Sequence, residues 1–152
     1  YDKAYKYERE SIHHMYMVSK GLSDAITKQF PEDYHHTSAT TKAADLRSDL
    51  NYLMSEHAAL AADAMQNGYD GSENYKASVK ALEMNTKDLS KAIEDAYGKD
   101  AGMEFEKMWS EHIGYFVDYV NATNNNDEKG RQEALNNLDN YRDTFSQFMA
   151  TA

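Results

Sequence analysis

Apolar side chains recur every three or four residues along most of this chain, and the rhythm breaks at proline, glycine and asparagine-rich stretches. Ile12, Met15, Ser19, Leu22, Ile26 and Phe30 form the first such series, within YERESIHHMYMVSKGLSDAITKQF (7–30) and ahead of Pro31. That spacing predicts an amphipathic helix packed along this stripe. PEDYHHTSATT (31–41) reads as a polar linker, with Ser38, Thr40 and Thr41 each suited to cap the next helix.

Leu46, Leu50, Leu53, His57, Leu60 or Ala61, and Ala64 then keep helical time up to Asn67-Gly68. NGYDGS is a turn, with Ser72 a candidate N-cap. A third helix runs over Tyr75, Val79, Leu82, Asn85, Leu89, Ala92 or Ile93, and Ala96, closed by Tyr97-Gly98 as a glycine C-cap would close it. The fourth uses Phe105, Met108 or Trp109, His112, Phe116 and Tyr119, and the fifth uses Ala134, Leu138, Tyr141, Phe145 and Phe148. Strand alternation is nowhere convincing.

Short connections between the last four helices predict an all-α fold: an antiparallel up-and-down four-helix bundle over 42–152, built from two helical hairpins. Residues 1–41, the N-terminal helix and linker, are expected to pack outside it or across one end. The two hairpins look like copies of one design. SEH recurs at 55–57 and 110–112, and the 55-residue shift that aligns His57 with His112 also pairs Leu53 with Met108 and Asp63 with Asp118.

The helical period puts His57 and His112 on the apolar seam, while Glu56 and Glu111, one residue earlier, fall about 100° round the helix and belong at the flank. His57, Asn85, His112 and Tyr141 each lie 13 to 15 residues from a turn. Counting thus sets all four at one height, with Asp88 one turn from Asn85. Two imidazoles with amide, carboxylate or phenol oxygens suit copper or zinc better than magnesium or calcium. A water or a small ligand would fit the same layer. So would a hydrogen-bonded network that only fixes helix register. Di-iron chemistry wants Glu-x-x-His, which is absent, and two histidines ligating haem would need the bundle to open.

HHMYM (13–17) is a weaker copper-like cluster through His13, His14 and Met17, although Met15 is better explained by core packing. His35 and His36 read as loop residues. No Ser-His-acid arrangement or glycine-rich phosphate cradle is visible, which leans against an enzyme, and a Glu56–Glu111 acid–base pair is left open.

Composition narrows the partners. With 26 acidic residues against 16 Lys and Arg, the 152-residue chain carries a net charge of −10, which repels nucleic acid and anionic membranes. It contains no cysteine, so disulfides and thiolate chemistry are excluded. No apolar run reaches the length of a membrane span. The chain opens with Tyr1 rather than Met, as expected of a processed or trimmed product.

LRSDLNYLMSEHAAL followed by NTKDLSKAIEDAYGKDAGMEFEKMWSEHI resembles a poorly characterised helical-bundle domain of bacterial secreted proteins, some of which carry a copper amine oxidase N-terminal-like segment as a neighbour. The likeness rests on an acidic residue before His57, Asn85-x-x-Asp88 with Ala92-Ile93, Tyr97-Gly98 before Ala101-Gly102, and His112-Ile113, over roughly residues 46–150. It implies export to the cell envelope or beyond and a four-helix bundle, with no established activity. Met54 and Thr86 depart from the family pattern, where Trp and Gln are usual. The leading expectation is therefore a non-catalytic, extracytoplasmic binding protein for a transition metal or small ligand. The alternatives are a structural or protein-interaction bundle and, third, a haem or redox bundle.

Overall fold

The computed structural model describes residues 1–151. Five helices account for almost all of them: α1 (Asp2–Gln29), α2 (Lys42–Tyr69), α3 (Tyr75–Tyr97), α4 (Lys99–Asn124) and α5 (Glu128–Thr151). Their ends follow from local chemistry. Pro31 lacks the N–H that would continue α1. The Thr41 hydroxyl accepts from the Ala44 N–H at 3.1 Å and starts α2, and Asp127 Oδ1 accepts from the Gly130 N–H at 2.9 Å at the head of α5. Ser72 accepts from the Asn74 N–H within the turn, and Asn74 itself is the N-cap residue of α3. Gly98 alone separates α3 from α4, at φ +97°, a backbone angle L side chains rarely adopt.

Helices α2, α3 and α4 pack on one another, α1 lies in the groove of α2 and α3, and α5 approaches the backbone of α4 alone among the described residues. The bundle is all-α, but α2 and α4 meet directly rather than across a diagonal. Helices α3 and α4 approach closely at Gly102, where an added Cβ would lie 2.7 Å from Glu94 Cβ and where Ser90 Oγ donates to the Gly102 carbonyl at 2.8 Å.

Two apolar clusters fill the interior. Leu60, Ala64, Ala77, Ala81 and Leu82 pack with Tyr5 toward the α2–α3 turn. Leu53, Leu89, Ile93, Phe105 and Trp109 pack with Phe145 and Phe148 toward the other end. Leu60, Leu89 and Phe105 are essentially inaccessible, and each such side chain contributes roughly 1.5–3 kcal/mol by leaving water. Between the clusters, one turn from each, sit Glu56 on α2, Asn85 on α3 and His112 on α4, all buried.

The face α1 presents to the bundle is not the apolar stripe its sequence suggests. Met15, Val18, Leu22, Ile26 and Phe30 are exposed. Docking runs instead through Tyr5, Arg9, Tyr16 and Lys20, spaced by four, seven and four. The Tyr5 hydroxyl bonds Asp63, the Tyr16 hydroxyl bonds Asp49, and Lys20 Nζ lies 2.7 Å from Asp45. Tyrosine rings supply apolar burial while their hydroxyls meet the carboxylates of α2, so a polar series can outcompete an aliphatic one. No described helix is long and apolar enough to cross a membrane.

Candidate functional site

The polar layer contains two arrangements that share Asn85. The first is a charge cluster facing α1. Glu56 is fully buried, contrary to the flank position expected for it, because α1 covers that flank. Arg9 Nη2 donates to Glu56 Oε2 at 3.1 Å and to Asp88 Oδ2 at 2.6 Å. Asn85 Nδ2 adds a bond to Glu56 Oε2 at 2.8 Å and a second to the Leu53 carbonyl at 3.0 Å. Burial disfavours the charge of Arg9, but the Glu56 and Asp88 carboxylates more than restore it and leave its pKa raised. Tyr52, whose hydroxyl lies 3.4 Å from Glu56 Oε1, is pushed up to about 12 by burial and by the neighbouring carboxylate. Three helices are thereby pinned in register. Arg9 went unremarked in the sequence, although its place four residues after Tyr5 and seven before Tyr16 was a signal.

The second arrangement is aromatic. The His57 and His112 rings lie 5.6 Å apart, centroid to centroid, and Trp109 touches both, at 4.9 and 4.5 Å. Tyr141 stacks on His112 at 4.8 Å, so it contributes a ring face to the layer. His57 Nδ1 lies 3.3 Å from Asn85 Oδ1 and 3.3 Å from Trp109 Nε1. Those two contacts need opposite proton positions. Asn85 Oδ1 can only accept, since its Nδ2 is committed to Leu53 and Glu56, whereas the indole N–H can only donate. Nδ1 serves one of them at a time, and the proton on Nε2 comes and goes accordingly.

His112 is buried, and its Nδ1 has no partner in hydrogen-bond geometry, although the Trp109 carbonyl one turn earlier lies near enough to favour a proton on the ring. Burial, reinforced by the nearby His57, pushes the His112 pKa down to about 4, opposed only by that carbonyl. Burial also lowers that of His57, with Asn85 opposing. Both imidazoles are therefore neutral at pH 7.

The histidines form one end of a cavity of about 260 Å³ between α2, α3 and α4. Ala61, Met65, Val79, Leu82, Ile113 and Phe116 line its length, and no Lys, Arg, Asp or Glu does. From His57 to Met65 is eight residues, about 12 Å of helix. Exposed Ala58 and Ala62 and the partly exposed Phe116 flank its opening on the α2–α4 face, where α5 stands back.

Of the residues the sequence singled out, His57, Asn85, His112 and Tyr141 are brought together. Asp88 joins only the outer edge of the layer, through Arg9. Glu111 is exposed, and with Glu56 turned toward Arg9 the two form no acid–base pair. His14 and Met17 are exposed on α1, while His13 lies 5.4 Å from the Tyr52 ring. No group of three His, Asp or Glu suited to a metal ion occurs among the described residues. Compared with known proteins, the chain matches no family model, and no curated protein or solved structure matches it significantly.

Proposed function

We propose that this chain is a non-catalytic binding protein for a small, uncharged, largely apolar molecule, held between α2, α3 and α4 with its polar end against His57 and His112. One observation carries the reading: the cavity wall is apolar along its length apart from Tyr75, carries no charged side chain, and ends at two neutral imidazoles. A charged ligand would lose its hydration there and meet no countercharge. A cavity of roughly 150 Å³ accepts benzene, so one of about 260 Å³ has room for about ten non-hydrogen atoms. Haem is several times too large.

Copper or zinc is the competing occupant. The ring separation lets two imidazoles share an ion, yet its remaining coordination would have to come from outside the chain, amid apolar side chains. The register role falls to other residues, Arg9, Glu56 and Asn85, and so is compatible with ligand binding. Extracytoplasmic residence, implied by the resemblance to secreted bundle domains, belongs to the same proposal.

The test is a titration with propylbenzene followed by emission of Trp109, the single tryptophan, which touches both histidines. Saturable binding by the wild type, lost in a folded Ala61→Leu variant that fills the cavity, supports the reading. No propylbenzene binding, together with stoichiometric zinc or copper uptake abolished by His57→Leu/His112→Leu, replaces it with a metal site.

A further inference from the structure

We infer that the ligand class is a small neutral alcohol or phenol, its hydroxyl bridging His57 and His112 and its apolar body lying along the cavity toward Met65 and Val79. The inference rests on the cavity being a binding site and names the head group that site selects.

The argument is one of hydrogen-bond complementarity. His57 uses Nδ1 for its contacts with Asn85 and Trp109, so Nε2 is the nitrogen left on the ring's other edge. When Nδ1 gives its proton to Asn85 Oδ1, Nε2 offers a lone pair. When Nδ1 accepts from Trp109, Nε2 carries the proton and donates. Neither assignment satisfies Asn85 and Trp109 together. The polarity the cavity presents at His57 therefore has two forms of comparable cost. His112, a residue only 7% exposed, lines the same end, and its Nδ1 makes no hydrogen bond, so a second imidazole with unmet hydrogen-bonding capacity stands beside His57.

A hydroxyl is the common neutral group that donates and accepts through a single atom. It complements either tautomer of His57, and the His112 ring, 5.6 Å away centroid to centroid, is near enough for one hydroxyl to be placed between the two imidazoles. An ether only accepts and a hydrocarbon does neither. A carboxylate needs a proton or a countercharge, and no Lys or Arg lines the cavity, while Arg9 is engaged by Glu56 and Asp88.

The experiment compares four probes of one shape on the intact chain at pH 7: propylbenzene, 4-propylphenol, its methyl ether and 4-propylbenzoate. The phenol has ten non-hydrogen atoms, matching the cavity estimate of about ten. Recovering hydrogen bonds for buried polar groups corresponds to a gain on the order of 10-fold to 100-fold in affinity. The phenol should therefore bind that much more tightly than propylbenzene and the ether, with the benzoate weakest. In His112→Leu the ratio of phenol to propylbenzene affinity should collapse toward one, whatever the absolute values. Equal binding of phenol and propylbenzene by the wild type overturns the hydroxyl assignment while leaving the cavity reading intact. Tightest binding by the benzoate also overturns it. Failure of all four removes the cavity reading itself.

Discussion

Acidification should destabilise this protein through His112 in a way that a single substitution isolates. The imidazole is held at about 4 in the folded chain, against an ordinary value of 6.5. Between those values the unfolded chain binds a proton that the folded chain refuses, so stability from this group is complete above about pH 6.5 and is lost as pH falls toward 4. At roughly 1.4 kcal/mol per unit, the loss is on the order of 3 kcal/mol. Urea unfolding of the wild type and of His112→Phe at pH 7, 5.5 and 4 measures it. Other titrating groups act on both proteins alike, so the difference between the two carries the His112 contribution. With a urea dependence of about 2 kcal/mol per molar, the gap between the two midpoints should shift by about 1.5 M across the range. Midpoints that fall in parallel would refute a buried, neutral His112.

Arg9→Ala should cost about 3–5 kcal/mol in equilibrium unfolding, because it leaves Glu56 charged and enclosed, whereas Lys91→Ala, at an exposed pair, should change stability by less than about 0.5 kcal/mol. Gly102→Ala drives a Cβ into Glu94 at the α3–α4 contact and should lower stability by about 1–3 kcal/mol, read as a drop in thermal midpoint. Leu89→Ala removes a fully buried side chain from the Trp109 cluster and should cost about 2–5 kcal/mol by urea unfolding.

The helices and the level of the layer were legible because both depend on counting. A 3.6-residue period locates a seam, and equal distances from turns bring His57, Asn85, His112 and Tyr141 to one height whatever the exact packing. What escaped was anything that depends on which helix covers which face. Glu56 sits at the flank of the α2 seam, and a flank becomes interior only when another helix lies on it. The series Tyr5, Arg9, Tyr16 and Lys20 was as regular as the aliphatic stripe, but its partners, Asp63, Glu56, Asp49 and Asp45, lie on another helix, and no periodicity within α1 reveals them. The cavity likewise lies between three helices, α2, α3 and α4, a relation that a single-helix pattern does not encode.

The pairing of Arg9 with Glu56 bears on how the chain reaches this state. Arg9 on α1 has its bonding partners 47 and 79 residues further along the chain, at Glu56 and Asp88. Until those residues are in place, the Arg9 guanidinium has no carboxylate to meet. The three inner helices, in turn, cannot close around a bare carboxylate without paying heavily for its dehydration. Completion of the core and docking of α1 are thus parts of one cooperative step, since the buried carboxylate and its guanidinium partner come from segments far apart in the chain.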